Sequence, residues 1–139
     1  MKLSDKLKQH RDLIEDKLRG LYETHKGPAG GVVFMQHDGT YVECWTHDEP
    51  EKMNWDTARE YVQTLNHGGY SDWSLPTIDE TLEMYQNRYR IGNFENDWYW
   101  SDNEDSEFDA WLRDFSTGLK KNSYFKTNKL KVRAVRRFK

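Results

Sequence analysis

The sequence predicts a mixed α+β fold, and three features of it point that way. Residues 3–24 carry apolar side chains at helical spacing, and an Asp38–Gly39 pair separates two short extended runs. After about residue 97 the pattern changes to short segments that alternate as β-strands do. At 139 residues the chain suits one domain. We therefore expect helices together with short antiparallel strands around one core.

Residues 1–25 are predicted to be an N-terminal amphipathic helix that precedes a domain at 27–139. Its apolar residues recur at spacings of three, four and seven: Leu3, Leu7, Ile14, Leu18 and Leu21. His10 and Lys17 interrupt the apolar seam that a strict coiled coil requires. Packing on the chain's own domain is therefore favoured, and homo-oligomerisation through this helix is the alternative.

The next segments predict a hairpin followed by two helices. Strands are expected at about 31–37 and 40–46, because Asp-Gly between extended runs is a strong hairpin signal. A helical face begins at Trp55 and runs to about residue 66, before a glycine pair that suits a C-terminal cap. A further helix starts at Thr77, with Glu80 three residues later as in a capping box. Its predicted apolar side comprises Ile78, Leu82, Met84 and Tyr85.

Charge is distributed unevenly over the C-terminal strands. Residues 95–118 hold eight acids and one base, whereas residues 119–139 hold nine bases and no acid. Neighbouring strands with opposite charges form cross-strand pairs, so we expect the two blocks to lie side by side. The net charge of −3 argues against a general polyanion binder.

Composition excludes several classes of protein. With 14% aromatic residues and six tryptophans the chain is too aromatic to be disordered, despite 32% charged residues. No apolar stretch is long enough for a membrane span or has the form of an export signal, so we expect a cytoplasmic protein or a component of a phage virion. Cys44 is the only cysteine, which leaves no internal disulfide.

An acidic run at residues 102–109 raises the question of a metal or catalytic site. It fails the helix-loop-helix calcium pattern, because Glu107 stands where that pattern needs glycine. An irregular calcium site and a carboxylate pair for glycoside hydrolysis stay as alternatives. The favoured interpretation is a solvated hairpin tip, since acids commonly occupy such positions.

No other motif predicts catalysis, a metal or a cofactor. His37, Cys44 and His47 lie on adjacent predicted strands, but the second pair of ligands that a structural zinc site needs is absent. There is no nucleophile elbow, and the glycines near residue 30 are not followed by a helix that would bind phosphate. We therefore predict no metal and no cofactor.

Four stretches of the sequence together resemble one family. They are GPAGGVVF (27–34), NWDTAREYVQTLNHGGYSDWSLPTIDE (54–80), IGNFENDWYWSDNE (91–104), and AWLRDFSTG followed by KVRAVRRF. In this order and spacing they resemble the Lcl C-terminal domain family, over nearly everything from Gly27 to Phe138.

The resemblance implies a C-type-lectin-like fold, in which two helices lie beside small twisted antiparallel sheets and the chain ends are close. It assigns the turn between the helices to Trp73, Leu75 and Pro76, and the core to Trp100, Trp111, Phe115 and Val132. Members are mostly non-catalytic binding modules of bacterial surfaces and phage adhesins. The formylglycine-generating enzymes of the same broad fold use a cysteine pair, whereas Cys44 stands alone, so no enzymatic activity is expected.

We therefore predict recognition of a macromolecular partner, a protein rather than a glycan, through the loop 102–109 and the segment 119–130. Phe108 motivates this most, because exposed aromatic residues are frequent binding anchors. A phage-encoded protein directed at a host factor or receptor would fit. The predicted contact residues are Asp105, Glu107, Phe108, Lys121, Asn122, Tyr124 and Lys126. The alternative is nucleic-acid binding by the basic C-terminal strands, with aromatic rings stacking on bases.

Overall fold

The computed structural model of the protein describes residues 2–12 and 26–139. Residues 3–12 form helix α1, in which Leu3 and Leu7 are exposed. The remainder of the predicted N-terminal helix lies outside the described residues, so its amphipathic packing and its role in assembly stay predictions. No described helix has the length and apolar character to cross a bilayer.

Three more helices and six strands follow in the described part of the chain. Their bounds are β1 Val32–His37, β2 Thr40–Cys44, α2 Trp55–Val62, α3 Ile78–Gln86, α4 Arg88–Ile91, β3 Trp98–Glu104, β4 Asp109–Asp114, β5 Lys120–Phe125 and β6 Val135–Phe138. The strands form two antiparallel three-stranded sheets with the orders β1-β2-β6 and β3-β4-β5. The predicted α+β class with small antiparallel sheets is confirmed.

The Asp38–Gly39 turn joins β1 to β2 as the sequence predicts. Both residues have positive φ, 50° and 76° respectively, and His37 pairs with Thr40 directly beside them. Two consecutive residues with positive φ match the right-handed twist of the strands on either side. The turn therefore sets the register of the first hairpin locally.

Side-chain caps fix where α2 and α3 begin. The Asn54 side chain accepts a hydrogen bond from the Thr57 amide at 2.9 Å. At α3, Thr77 and Glu80 form the predicted capping box, in which each side chain accepts from the other residue's backbone N–H. Helix α2 ends at Val62, about one turn before its predicted end.

The buried face of α3 is more polar than the sequence suggests. Leu82, expected on the apolar side, is 39% exposed, whereas Met84, Glu80 and Thr81 are buried. Arg113 of β4 explains the difference, because its Nε donates to the Thr81 hydroxyl at 3.1 Å. The helix therefore packs on the sheet partly through hydrogen bonds, and the expectation for Leu82 is wrong.

The basic C-terminal block is divided between the two sheets. Strand β5 pairs with β4, as expected for a basic strand beside an acidic one. Strand β6 instead pairs with β2, with Val135 opposite Cys44. Only Val135–Phe138 of the final predicted strand has strand structure, and Lys131 before it bridges to Tyr99. The expectation that the whole basic block lies beside the acidic strands is therefore wrong.

Two apolar clusters form the core. One contains Trp55, Trp73 and Trp100, and the other contains Tyr99 and Phe115. The core positions that the resemblance implies are buried at Trp100, Phe115 and Val132, and the turn before α3 buries Trp73, Leu75 and Pro76. The two clusters lie on opposite sides of β3, because Tyr99 and Trp100 are adjacent on one strand.

Trp111 is the exception among the residues assigned to the core. It lies between Ala110 and Leu112, both of which are completely buried, and strand alternation turns its side chain to the other face. Trp111 is half-buried there, and the Lys120 Nζ lies 5.3 Å from its ring centroid. The assignment of Trp111 to the core is wrong.

A buried carboxylate connects the glycine-rich segment to the first sheet. Glu43 is fully buried and accepts from the Arg136 guanidinium at 3.0 Å and from the amides of Gly31 and Ala29 at 2.8 and 3.1 Å. The hydrogen bonds that Arg136 also donates to Asp72 hold the pKa of that carboxyl below its ordinary value. A buried pair so completely bonded is costly to break, by about 3–5 kcal/mol when one partner is removed.

The same carboxylate explains why glycines flank it. A Cβ at Gly27 would overlap with the Glu43 carboxyl group, and a Cβ at Gly31 would overlap with the backbone carbonyl of Cys44. The latter neighbour cannot rotate away, because it belongs to the β2 backbone. The GPAGG segment is therefore short of side chains so that β2 can approach it closely.

Cys44 is completely buried beneath this segment, and its thiol donates to the Trp45 carbonyl at 3.2 Å. Burial raises the pKa of the Cys44 thiol from 9.0 to about 12. A thiol in this state is a poor nucleophile at neutral pH. Its role in the fold is packing.

We predict that Gly31→Ala destabilises the domain by roughly 2 kcal/mol or more, because the added methyl forces β2 away from the glycine segment. Gly39→Asn is the matched control, since its Cβ meets nothing within 4 Å and asparagine tolerates positive φ. Urea unfolding measures both. Equal losses of stability in the two variants would contradict the close approach of β2.

We predict that Cys44 does not react with a thiol reagent at pH 8 in the folded protein and reacts fully in denaturant. Above pH 9.0 the unfolded chain loses the thiol proton, whereas the folded chain keeps it until about pH 12. The contribution of Cys44 to stability therefore falls as the pH rises through this window. Cys44→Ala should flatten that alkaline decline, measured by urea unfolding at pH 8, 9.5 and 10.5, and an unchanged decline would refute the assignment.

Candidate binding surface

The connection between β3 and β4 is a compact hairpin tip. The amides of Asp105 and Ser106 both donate to the Asp109 carbonyl, at 3.0 and 3.1 Å. The Ser106 hydroxyl accepts from the amides of Phe108 and Asp109, each at 3.1 Å. The Ser106 hydroxyl also donates to the Asp109 carboxylate at 3.3 Å. The backbone and these two side chains therefore close the tip, and the side chains of Asp105, Glu107 and Phe108 are exposed.

Some acids of the 102–109 run are engaged within the domain. Asp102 accepts from Arg59 of α2 at 2.9 Å, and Glu104 lies 3.4 Å from the Lys126 ammonium group. Among the described residues, no cation lies within ion-pair distance of Asp105 or Glu107. Asp105 and Glu107 are therefore the exposed acids of the run that carry no ion pair with a described residue. This geometry agrees with a solvated tip.

Trp55 anchors the base of the tip. The Arg59 guanidinium and the Lys126 ammonium each lie 4.6 Å from its ring centroid, in cation–π contacts. The indole N–H donates to the Ser101 carbonyl at 2.8 Å, and the Lys126 Nζ donates to the Glu107 carbonyl at 2.9 Å. The hairpin is therefore attached to α2 and to the end of β5 just below its exposed side chains.

Two phenylalanines at this end of the second sheet are exposed. Phe108 is 67% exposed and Phe125 is 62% exposed. Asp109, the neighbour of Phe108, pairs with Phe125 across the β4–β5 ladder, and the Lys126 amide donates to the Phe108 carbonyl at 2.9 Å. We call Asp105, Glu107, Phe108 and Phe125 the tip surface.

Phe125 was missing from the predicted contact set, in which Tyr124 stood instead. Tyr124 faces inward, with its ring centroid 4.9 Å from that of Trp98 and 6.1 Å from that of Trp100. Neighbouring residues on a strand face opposite sides, so only one of the two rings can be exposed. The sequence shows two neighbouring aromatic residues, Tyr124 and Phe125, but it does not show which of the two rings is exposed.

The structure does not bring all seven predicted contact residues together. Asp105, Glu107 and Phe108 share the tip, and Lys126 lies at its base with only 12% of its side chain exposed. Lys121 lies toward the other end of β5, with its Nζ 4.4 Å from the Trp98 centroid and 3.7 Å from Asp114. Asn122 is exposed beside it. Their role in binding stays a prediction.

The residues considered for zinc do not form a cluster. Cys44 is buried as described, His37 lies at the first hairpin turn beside Asp38, and His47 bonds to the Thr46 hydroxyl at 3.0 Å. Within residues 2–12 and 26–139, no group of three His, Cys, Asp or Glu side chains is arranged to hold a metal ion.

The comparison with known families accounts for most of the chain. The model of the Lcl C-terminal domain matches residues 16–136. No curated protein matches the sequence. The match covers the second sheet, the first sheet as far as Arg136 of β6, the helices between the sheets and the glycine segment that holds Glu43. On that extent of similarity, the chain belongs to the Lcl C-terminal domain family.

Proposed function

We propose that the protein is a non-enzymatic recognition module with a C-type-lectin-like fold, and that it binds a protein partner through the tip surface. The observation that carries the proposal is the exposure of two phenylalanines, Phe108 and Phe125, at the hairpin end of the second sheet. A host factor or receptor is the kind of partner that the resemblance suggests.

The fold proposal is supported by the family membership and by the position of the two ends of the domain. Strands β1 and β6 flank β2 in one sheet, so the beginning and the end of the domain lie close together. The second sheet and its hairpin tip extend from this base. A recognition module of this design offers one surface to a partner while its termini remain on the other sheet.

The exposed rings support binding because they leave apolar surface in water and belong to neither apolar cluster of the core. Aromatic side chains contribute more to interface energies than most others, and a few of them commonly account for the larger part of an affinity. The Trp55 contacts and the Ser106 hydrogen bonds hold the tip in one arrangement. A partner therefore meets a tip whose backbone needs little further ordering, which reduces the entropic cost of association.

The charges of the C-terminal block and of the tip favour a protein partner over nucleic acid. Most of the cations of the C-terminal block lie beside carboxylates of the domain: Lys121 with Asp114, Lys126 with Glu104, Lys131 with Asp48 and Glu95, Arg133 with Asp48, Arg136 with Glu43 and Asp72, and Arg137 with Glu80. Compensated cations release few counterions from a polyanion and so contribute little to its binding. The free acids of the tip would also repel phosphates.

We predict that Phe108→Ala and Phe125→Ala each weaken partner binding by about tenfold or more, the range for an interface anchor. Pull-down with the wild-type chain identifies the partner, and titration calorimetry with purified components measures the affinity. Tyr89→Ala is the control, because Tyr89 is 87% exposed on α4 and outside the tip surface. Tyr124 is not a suitable target, since its removal disturbs the packing on Trp98 and Trp100.

Equal affinity of wild type and the Phe108→Ala/Phe125→Ala double variant would overturn the proposed surface. The salt dependence of the affinity separates the two candidate functions. A protein partner held by two rings should show a shallow dependence between 50 and 200 mM salt, whereas nucleic acid would show a fall of several orders of magnitude for about six or more phosphate contacts.

A further inference from the structure

A small cavity lies where the glycine segment, the end of β2 and helix α4 meet. Its volume is about 130 Å³. The residues that line it are Lys26, Gly30, Gly31, Val32, Thr46, Arg90 and Ile91. Two of these side chains are cationic and none is a carboxylate. The cavity is therefore positively charged by its own lining.

Arg90 differs in its hydrogen-bond partners from Arg133 and Arg136, the buried arginines of the C-terminal segment. Its two terminal nitrogens donate to the Val33 carbonyl at 3.0 Å and to the Asn87 side-chain oxygen at 3.1 Å, and both acceptors are neutral. Among the described residues no carboxylate pairs with it. A guanidinium group has five N–H donors, and the described residues accept from two of those on Arg90.

Burial makes the lack of a carboxylate partner within residues 2–12 and 26–139 significant. It lowers the pKa of Arg90 from its ordinary value, as expected for a cation that has lost part of its hydration. Arg133 and Arg136 are more deeply buried, but each lies within 3.0 Å of a carboxylate oxygen. An anion beside Arg90 would supply what Asp48 and Glu43 supply to those two arginines.

The backbone of the cavity is not available as an anion site. The Gly31 amide already donates to Glu43 at 2.8 Å, and the Gly30 amide donates to the Gly27 carbonyl at 3.0 Å. The charge of Glu43 behind Gly31 is offset by Arg136 at 3.0 Å. Recognition in this cavity would therefore depend on the side chains of Lys26 and Arg90.

We propose that this cavity binds one small oxyanion group, a phosphate or a carboxylate, through Arg90 and Lys26. The space suits such a group, since a cavity of about 150 Å³ in another protein holds benzene. It does not suit a whole nucleotide. The site does not involve the tip surface, so the proposal stands apart from the proposed function.

The test is a titration of the whole chain with inorganic phosphate and, separately, with acetate, at an ionic strength held constant with sodium chloride. Amide NMR shifts report the site and the affinity. We expect saturable shifts at Gly30, Gly31 and Thr46, and about tenfold or more weaker binding in Arg90→Gln and in Lys26→Gln, as for loss of a charge-assisted hydrogen bond. The anion that binds more tightly shows whether the site prefers a phosphate or a carboxylate group.

Arg88→Gln is the matched control, because Arg88 belongs to the same short helix but lies over Tyr85 and Tyr89 and does not line the cavity. Its affinity for the anion should equal that of the wild type. If Arg90→Gln does not fold, Lys26→Gln decides, since Lys26 is exposed. Absence of saturable shifts in the wild type, or unchanged affinity in Lys26→Gln, would overturn the proposal.

Discussion

The buried pair of Glu43 and Arg136 is the interaction on which the rest of the structure depends. It joins β2, at the centre of the first sheet, to β6 at its edge, and it holds the glycine segment through the Gly31 amide. The two residues are 93 positions apart. Because neither charge is tolerable in the core without the other, the first sheet is complete only when the C-terminal residues have joined it.

Arg133 makes a second connection of the same kind. It binds Asp48 at 2.9 Å and donates to the carbonyls of Trp45 and Gly92 at 2.9 and 3.1 Å. Arg133 and Arg136, the two arginines of the closing VR-x-VR sequence, thus connect three segments: residues 43–48, Asp72 and Gly92. The C-terminal segment is therefore held by these side chains as well as by the ladder between β6 and β2.

The parts of the fold that could be predicted are those determined by neighbouring residues. The turn at Asp38–Gly39 and the capping box of Thr77 and Glu80 each need only four consecutive positions. The placement of β6 and the outward face of Trp111 depend on partners far away in the sequence. A periodic pattern shows that a residue alternates, but it does not show which sheet will receive it.

The candidate site also has features that the local sequence predicts and features that depend on distant residues. The exposure of Phe108 follows from its acidic neighbours, whereas the choice of Phe125 over Tyr124 depends on an irregularity between Ala110 and Leu112, where Ser123 adopts a φ of 55°. The contact of Lys126 with Trp55 could not be predicted, because no local pattern brings these two residues together.

At the hairpin tip, the residues that hold the backbone in place differ from the residues whose side chains are exposed. Its hydrogen bonds use backbone atoms, the Ser106 hydroxyl, the Asp109 carboxylate and the Lys126 ammonium group. No hydrogen bond or ion pair among the described residues uses the side chain of Asp105, Glu107 or Phe108. Under the proposed function, replacing these side chains would change what the domain recognises and leave the residues that fold it untouched. The proposed surface could therefore vary in sequence at a few codons, while Ser106 and Trp55 continue to hold the backbone of the tip.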